Sequence, residues 1–273
     1  MRSLLFVPAN SEKKVPKALA SGADVVILDL EDSVAPADKP RARELAREIL
    51  SSPRGKAKLF VRVNALDSGL IADDVAAIAR SKPDGLLLPK SQSGADVKRL
   101  IAMAGLPVIA IATETAASMF TLGTYGDLGP QLLGLTWGME DLAAALGAQS
   151  NRDAQGRPTA PYELARTLCL IGARAAGVEP IDGVYANFRD LAGLETQCRE
   201  AVRDGFTAKM CIHPDQVEPV NRIFTPAPEA IAKAQRIVKA FAEAGHAGVI
   251  GLDGEMLDVP HLKAAKALLA RIS

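Results

Sequence analysis

Residues 25–32 read VVILDLED, an uninterrupted apolar run that ends in carboxylates. Such a run is typical of a parallel strand whose two faces are both buried. The pattern recurs, and it predicts eight strands at 4–7, 25–30, 59–63, 85–88, 108–112, 132–136, 183–185 and 209–212. Longer amphipathic stretches separate these runs, so the sequence predicts repeated βαβ units and a parallel sheet.

The number of units favours a closed barrel. Eight βα units within about 220 residues suit a (β/α)8 TIM barrel better than an open doubly wound sheet. An open sheet of that kind usually carries a glycine-rich phosphate loop after its first strand, whereas residues 8–12 here read PANSE. We therefore predict an α/β fold with a (β/α)8 barrel over residues 1–224.

The chain continues for some distance after the eighth predicted strand. A break at Pro226-Ala227-Pro228 precedes predicted helices at 229–244 and 261–272, with a Gly-rich segment at 245–254 between them. These elements are additional to the barrel. We predict that residues 225–273 form a C-terminal helical extension, which caps the barrel or packs on a neighbouring subunit.

The composition excludes several classes of partner. The 273 residues include 32 Lys plus Arg and 32 Asp plus Glu, so the formal net charge is zero, and aromatic residues make up 4%. This balance gives no electrostatic footprint for nucleic acid or an acidic membrane surface. Cys169, Cys198 and Cys211 show no metal-ligand spacing and are expected to be buried thiols. With neither a signal-peptide pattern nor a long apolar run, the sequence predicts a cytoplasmic protein.

Polar residues follow one predicted strand after another. In a barrel of this kind the active site forms where the carboxyl ends of the strands meet the following loops. Any single Asp, Asn or Thr there could instead cap a helix, and for Asp141 and Asp215 that alternative stays open. Helix capping does not explain Arg62, which is always charged. The polar residues are Asp29, Glu31, Asp32, Arg62, Asn64, Lys90, Glu114, Glu140, Asp141, Asn187, His213 and Asp215.

These residue types indicate a metal site. Converging carboxylates repel one another unless a cation neutralises them. Oxygen ligands without a Cys/His cluster favour Mg²⁺, or Mn²⁺, over zinc. The planar fork of Arg62 matches a carboxylate or an enolate oxygen. A metal beside this arginine suits a 2-hydroxy or 2-oxo acid and chemistry that builds negative charge next to a carbonyl.

Nine segments, spread in order over nearly the whole chain, carry a family resemblance. The chain resembles the citrate lyase β-subunit-like proteins of the HpcH/HpaI aldolase superfamily. That family uses Mg²⁺ to cleave or form carbon–carbon bonds in 3-hydroxyacyl-CoA thioesters such as citryl-, malyl- and citramalyl-CoA. The segments are LLFVP (4–8), ILDLEDSV (27–34), VRVN (61–64), LPK (88–90), TET (113–115), WGMEDL (137–142), AAGV (175–178), CIHPDQ (211–216) and GEMLD (254–258).

The resemblance implies a role for each matching residue of the barrel. Glu114 and Asp141 would be the metal ligands. Arg62 would bind substrate oxygens and stabilise the enolate of acetyl-CoA. Asp29 and Glu31 would hold metal-bound waters. The implied activity is that of a carbon–carbon lyase that releases acetyl-CoA and an oxo acid.

The resemblance also implies residues for catalysis, oligomerisation and CoA binding. Asp258 would be the acid/base residue, and it would reach into the active site of an adjacent subunit in a homotrimer or hexamer. Ile212 and His213 would lie beside the thioester. Lys13, Lys14 and Lys39 are candidates for the CoA phosphates. Whether the chain acts alone or with citrate lyase partners stays open, and so does the identity of the oxo acid.

Two other functions remain as alternatives. A class II aldolase acting on free pyruvate and an aldehyde would use a similar metal pair, but such enzymes usually have a histidine base early in the chain. His213, His246 and His261 all lie late in this sequence, which disfavours that activity. A non-catalytic subunit that only binds acyl-CoA is the second alternative, although every expected polar group is present.

Overall fold

In the computed structural model, eight parallel strands form a closed barrel; the structure describes residues 1–53, 55–245 and 248–272. The strands are β1 (Ser3–Pro8), β2 (Val25–Asp29), β3 (Lys58–Arg62), β4 (Gly85–Leu88), β5 (Val108–Ile111), β6 (Leu132–Thr136), β7 (Glu179–Asp182) and β8 (Ala208–Cys211). Neighbours in sequence pair with one another, and β8 pairs with β1 to close the barrel. The predicted (β/α)8 barrel is therefore confirmed.

Helices alternate with these strands, as the amphipathic stretches predicted. They are α1 (Lys14–Leu19), α2 (Lys39–Ser51), α3 (Ile71–Ile78), α4 (Gly94–Ala104), α5 (Glu140–Leu146), α6 (Ala160–Ala175), α7 (Leu191–Asp204) and α8 (Val217–Phe224). The boundaries of α7 follow from its sequence. Asp190 accepts a hydrogen bond from the backbone N–H of Gly193, and Gly205 ends the helix with φ +113°. Short 3₁₀ segments, such as Ala117–Phe120, stand in for a regular helix between β5 and β6.

The alternation of side chains along the strands creates two apolar layers. One cluster fills the barrel: Leu4, Val25, Ile27, Phe60, Leu87, Ile109, Ile111, Ile181, Ala208 and Met210. A larger cluster lies between the strands and the helices. Asp29 follows two residues after the inward-facing Ile27, so it falls on the inner face at the mouth of the barrel. Arg62 follows Phe60 in the same way and takes the neighbouring inner position.

The seventh strand corrects the sequence analysis. Residues 183–185 were expected to form it, but β7 lies earlier and begins at Glu179-Pro180. Glutamate and proline are both unfavourable within a strand, since proline has no N–H for the ladder. The Pro180 carbonyl still accepts a hydrogen bond from the backbone N–H of Thr207, so the pair to β8 forms at this position. The predicted segment is instead a loop at the mouth of the barrel.

Contacts within the chain separate it into two compact units, Met1–Phe224 and Thr225–Ser273. The second unit consists of α9 (Pro228–Glu243), β9 (Val249–Leu252), β10 (Glu255–Asp258) and α10 (Val259–Ala270). Its own small core is Ala234, Ile237, Phe241, Leu257 and Ala265. Packing of this unit on a neighbouring subunit stays a prediction.

The Gly-rich segment of the second unit contains a strand that the sequence analysis did not predict. The strands β9 and β10 pair antiparallel around Asp253 and Gly254, which have φ of +53° and +81°. Two consecutive positive φ values are typical of a type I′ turn, in which glycine is favoured. His246, one of the three histidines weighed above, lies outside the described residues. Over the part of the chain that is described, no helix is long and apolar enough to cross a bilayer.

Candidate active site

Arg62 and Asp29 form the centre of the polar mouth. The two residues are direct partners across β2 and β3. Arg62 Nε and one terminal nitrogen donate to the two carboxylate oxygens of Asp29, both at 2.6 Å. The other terminal nitrogen lies 3.0 Å from Glu31 Oε2, and the guanidinium stacks 4.9 Å above the ring of Phe6. Arg62 is therefore held on three sides in one orientation.

The surroundings of this pair keep both groups charged. Burial alone would lower the pKa of Arg62, but the hydrogen bonds and charges of Asp29 and Glu31 raise it above its usual range. Burial would raise the pKa of Asp29, and Arg62 reverses this and lowers it. The bidentate geometry is the strong form of an arginine–carboxylate contact. Asp29 thus orients Arg62 directly.

Lys90 connects the carboxylates of three different strand ends. Its ammonium contacts Glu31 and lies 3.3 Å from both Asp32 Oδ2 and Asp141 Oδ1. Its backbone N–H donates to Glu114 Oε2 at 2.6 Å. The backbone of Lys90 has φ +52°, a left-handed conformation that costs energy for a residue with a side chain. That conformation allows one residue to point its N–H and its side chain at the same cluster.

Lys90 is one of the polar residues that follow predicted strands, but the sequence indicates no role for it. The signal was its position, because Lys90 follows β4 in the same way that polar residues follow the other strands. The expectation that a metal neutralises these carboxylates is incomplete in this respect. Lys90 and Arg62 already neutralise part of their charge.

Glu114 is a buried carboxylate at the mouth with a strongly raised pKa. Its side chain is 5% exposed, and a Cβ added to Gly138 would lie 2.9 Å from its Oε1. Glycine at 138 therefore allows the loop after β6 to approach the carboxylate closely. Burial, reinforced by the charges of Asp141 and Glu31, raises the pKa of Glu114 to about 8. An incoming cation would favour the ionised form.

These groups surround a cavity of about 190 Å³. Its polar lining consists of Asp32, Arg62, Glu114, Thr136, Glu140 and Asp141. Its apolar lining includes Phe6, Ile111, Val184 and Met210, which come from the inner face of the barrel or the loops above it. The cavity is therefore a polar mouth over an apolar floor, with more carboxylates than cations.

The residues fit a magnesium ion that is only partly coordinated by protein. In the described ranges, no three His, Cys, Asp or Glu side chains converge to hold a metal ion. Glu114 and Asp141 both line the cavity, and the charge of Asp141 acts on Glu114. Mg²⁺ commonly takes one or two protein carboxylates and fills its remaining positions with water and substrate oxygens. Two carboxylates facing a cavity suit that kind of site.

A second cavity of about 420 Å³ adjoins the first, since Phe6 lines both. Lys14, Ile212 and His213 line it together with Lys17, and the role of the first three in CoA binding stays a prediction. The His213 ring stacks on another aromatic ring, that of Phe188, at 4.6 Å. Lys13 is exposed and lies outside the lining of both cavities.

Lys39 is not where the sequence analysis expected it. Its side chain is 8% exposed, and its Nζ donates to the carbonyls of Leu30 and Glu31 and to Asn64 Oδ1. These three bonds use all three ammonium hydrogens. Lys39 is therefore a structural cation under the loop that carries Glu31, and it is not available to a CoA phosphate.

Asp258 belongs to the second unit, where it occupies the position before α10. Its Oδ1 lies 2.6 Å from Nδ1 of His261. Its backbone N–H donates to the same nitrogen, Nδ1, at 3.2 Å. Both side chains are about half exposed. The pairing with His261 was not predicted, although the spacing of three residues on a helix would permit it. The acid/base role of Asp258 stays a prediction.

Comparisons with known proteins find similar sequences over nearly the whole chain. A family model described as HpcH/HpaI aldolase/citrate lyase matches residues 2–214. The chain is 36% identical to a (3S)-malyl-CoA thioesterase of Cereibacter sphaeroides, over 99% of this chain and 94% of that protein. It is 35% identical to the mitochondrial citramalyl-CoA lyase of Mus musculus, over 98% of this chain and 85% of that protein.

A solved structure is similar over almost its full length. The structure of CitE from Mycobacterium tuberculosis in complex with magnesium, acetoacetate and coenzyme A has a TM-score of 0.82 and 36% identity, covering 99% of this chain and 97% of that chain. The similarity in sequence and fold therefore extends over both units. The chain belongs to the HpcH/HpaI aldolase/citrate lyase family.

Proposed function

We propose that this protein is a Mg²⁺-dependent carbon–carbon lyase acting on a 3-hydroxyacyl-CoA thioester. It cleaves, or in reverse forms, a substrate such as malyl-, citramalyl- or citryl-CoA, and the products are acetyl-CoA and an oxo acid. One observation carries the proposal. A cavity lined by Arg62, Glu114 and Asp141 adjoins a second, larger cavity through Phe6, so an acid and its thioester chain can occupy both.

In this proposal Glu114 and Asp141 hold the magnesium ion. Relatives named citramalyl-CoA lyase and a CitE structure with magnesium and coenzyme A support the assignment. When bound, Mg²⁺ supplies Lewis-acid polarisation of the oxygens of the acid portion. Lys90 contacts both ligands, and Glu31 in turn contacts the Lys90 ammonium, so these contacts help to fix the positions of the two ligands. Asp29 and Glu31 remain candidates for hydrogen bonds to metal-bound water.

Arg62 stabilises the charge that develops during cleavage. When the bond between C2 and C3 of the acyl group breaks, its electron pair moves to the thioester and gives an enolate. The hydroxyl proton leaves at the same time, and the enolate carbon gains a proton to give acetyl-CoA. Because Asp29 and Glu31 hold Arg62 in one orientation, its remaining N–H groups need no reorganisation to meet the enolate oxygen. Asp258 is the proposed acid/base for the proton transfers.

The second cavity is the proposed path of the CoA chain. Ile212 and His213 line it beside the acid cavity, and Lys14 and Lys17 offer positive charge toward phosphates. Lys13 is exposed nearby in sequence and remains a weaker candidate. We also propose that the protein is a homo-oligomer, a trimer or hexamer, in which Asp258 completes the active site of a neighbour. A citrate lyase complex is the alternative assembly.

The test uses the purified protein alone. Malyl-, citramalyl- and citryl-CoA are each incubated with the protein, with Mg²⁺ or with EDTA, and acetyl-CoA, free CoA and the oxo acid are quantified. We expect equal amounts of acetyl-CoA and oxo acid from at least one substrate, and only when Mg²⁺ is present. The substrate that gives the highest kcat/KM then identifies the physiological oxo acid.

Other products identify the other functions. Free CoA with a hydroxy acid would mean hydrolysis, as the name of the Cereibacter sphaeroides relative describes. Cleavage of a CoA-free aldol with no action on thioesters would mean a class II aldolase. Binding of the thioesters without turnover, in the presence of Mg²⁺, would leave only an acyl-CoA-binding subunit and would overturn the proposal.

A further inference from the structure

Two buried charges, together with the partly buried Arg166, lie outside the cavity and have no part in the chemistry above. Asp182, at the end of β7, and Lys209, in β8, are direct partners across the two strands, and both are fully buried. Lys209 Nζ donates to Asp182 Oδ2 at 2.7 Å, to the Gly183 carbonyl at 2.8 Å and to Gln197 Oε1 at 2.9 Å. Every ammonium hydrogen therefore has an acceptor.

The other oxygen of Asp182 holds an aromatic residue. Its Oδ1 accepts from the indole Nε1 of Trp137 at 2.8 Å and from Arg166 Nε at 3.1 Å. Burial would raise the pKa of Asp182, but Lys209 and Arg166 lower it, so the acceptor stays ionised. The indole is thus bound to a carboxylate that two cations fix in place.

A buried ionic network of this kind is poor evidence for a purely stabilising role. Removing charges from water is costly, and well-packed apolar residues often give a protein equal or greater stability. A role in positioning a neighbouring side chain is therefore the better explanation of this network. Its only aromatic hydrogen-bonding partner among the described residues is Trp137, whose side chain lines the acid cavity and is 4% exposed.

Trp137 begins the segment that carries half of the proposed metal site. Gly138 follows it and lies against Glu114, and Asp141 comes three residues later. Gly183 also approaches the indole closely, because a Cβ on Gly183 would lie 3.0 Å from Trp137 Cε2. The indole therefore fixes where this segment leaves β6.

We propose that Asp182 is a positioning residue that acts through Trp137. Asp182, held by Lys209 and Arg166, fixes the indole, and the indole fixes residues 138–141, so that Asp141 and Glu114 keep the separation that Mg²⁺ needs. The inference rests on the proposed function, since it concerns the same metal site. It adds that this site depends on buried charges behind the barrel wall.

The test measures the affinity for Mg²⁺ alone by calorimetry, with the full-length protein. Trp137→Phe keeps an aromatic ring and removes the N–H, and we expect Mg²⁺ to bind about tenfold more weakly, the scale of one hydrogen bond to a charged group. The pair D182A/K209M removes the acceptor together with its buried counter-charge and should give a similar loss. Because both changes break the same link, the triple variant should be no weaker than either alone.

The control is Thr207→Val, which removes a buried hydroxyl hydrogen bond just before β8, at the opposite end of the barrel. It should leave Mg²⁺ affinity unchanged even if it lowers the melting temperature. Wild-type affinity in Trp137→Phe, an equal loss in Thr207→Val, or additive losses in the triple variant would each overturn the inference. If D182A/K209M does not fold, Trp137→Phe against Thr207→Val still decides. A wild-type protein that binds no Mg²⁺ would overturn the proposed function itself.

Discussion

Two ionic clusters of the barrel use the same residue types in different ways. Behind the barrel wall, Asp182 faces two cations, Arg166 and Lys209, and both of its oxygens are hydrogen-bonded. At the mouth, the carboxylates outnumber the cations, and among the described residues Glu114 accepts one hydrogen bond, from the backbone N–H of Lys90. The first cluster lowers the pKa of its carboxylate, whereas the second raises the pKa of Glu114 to about 8.

The difference separates a structural cluster from a binding cluster. A buried carboxylate that is fully paired has no need for another cation. A buried carboxylate next to like charges is stabilised when a cation binds beside it. The mouth is thus the place where a bound Mg²⁺ is stabilised most, although no group of three His, Cys, Asp or Glu side chains in the described chain could hold a metal ion by itself.

Removal of a proposed metal ligand should have the largest effect on activity. Asp141→Ala should abolish Mg²⁺-stimulated turnover and leave the fold intact, because Asp141 lies at the mouth, outside the packed barrel core. Circular dichroism and acetyl-CoA release measure the two effects. Asp127→Ala is the matched control, since Asp127 is exposed on a 3₁₀ segment between β5 and β6 and lines neither of the two cavities. Ordinary Mg²⁺-dependent activity in Asp141→Ala would remove Asp141 from the site.

The second unit offers a third arrangement, a half-exposed acid beside a histidine. Asp258→Asn keeps the capping ability of the side chain and loses its acid/base function, so kcat should fall by about 10²–10⁴. If Asp258 acts across a subunit boundary, mixing Asp258→Asn chains with Asp141→Ala chains restores part of the activity. An inactive variant with no recovery after verified mixing would place Asp258 in the site of its own chain. Full activity of Asp258→Asn alone would assign it to capping.

Arg62 tests whether the orientation imposed by Asp29 matters. Arg62→Lys keeps the charge but loses the bidentate fork, and transition-state stabilisation should fall by about 2–4 kcal/mol. The measurement is kcat/KM for the preferred thioester at saturating Mg²⁺. A value near that of the wild type would mean that Arg62 serves the structure of the mouth and not the chemistry.

The pH dependence of metal binding gives the smallest expected effect. Since the pKa of Glu114 is raised to about 8, the metal-free protein favours the protonated group, and Mg²⁺ must displace a proton below that pH. Mg²⁺ affinity should rise by up to about tenfold per pH unit from pH 6 and level off above pH 8. In the metal-free protein, the contribution of Glu114 to folding stability depends on pH with the opposite sign. The contribution of Glu114 to stability is full below the unfolded pKa and is lost as pH rises through 8.

The measurement is a calorimetric titration with Mg²⁺ at a series of pH values between 6 and 8. It is repeated with Glu114→Gln, whose residual Mg²⁺ affinity should not depend on pH in this way. Mg²⁺ affinity that is flat between pH 6 and pH 8 in the wild type would show that Glu114 is already ionised. The mouth and the buried cluster would then not differ in the way described.

Much of the barrel could be predicted from sequence because its strands are apolar on both faces. The strand β7 could not be predicted, because Glu179 and Pro180 are both unfavourable within a strand. It forms through pairing with β8, which begins with the hydrogen bond from the Thr207 N–H to the Pro180 carbonyl. The buried cluster of Asp182, Lys209 and Arg166 depends on the same non-local pairing, so it could not be predicted either. Asp182 and Lys209 become neighbours only through the register of β7 and β8, which the sequence does not display.

At the mouth, position at a strand end was a sufficient signal for Arg62 and Glu114. It was not sufficient for Lys90, whose contacts depend on a left-handed backbone conformation that the sequence does not specify. Lys39 was predicted wrongly because its exposure was assumed. Asn64 and the carbonyls beneath the Glu31 loop bury it instead.

A Mg²⁺ titration by calorimetry, comparing the wild type with Glu114→Gln and with Asp141→Asn at pH 8, tests the central claim most directly. The substitutions keep the shape of each side chain and remove its charge. We expect one Mg²⁺ per chain in the wild type and strongly weakened binding in both variants. A wild type that binds no Mg²⁺, or variants that bind it as tightly as the wild type, would contradict the claim that these two carboxylates hold the metal.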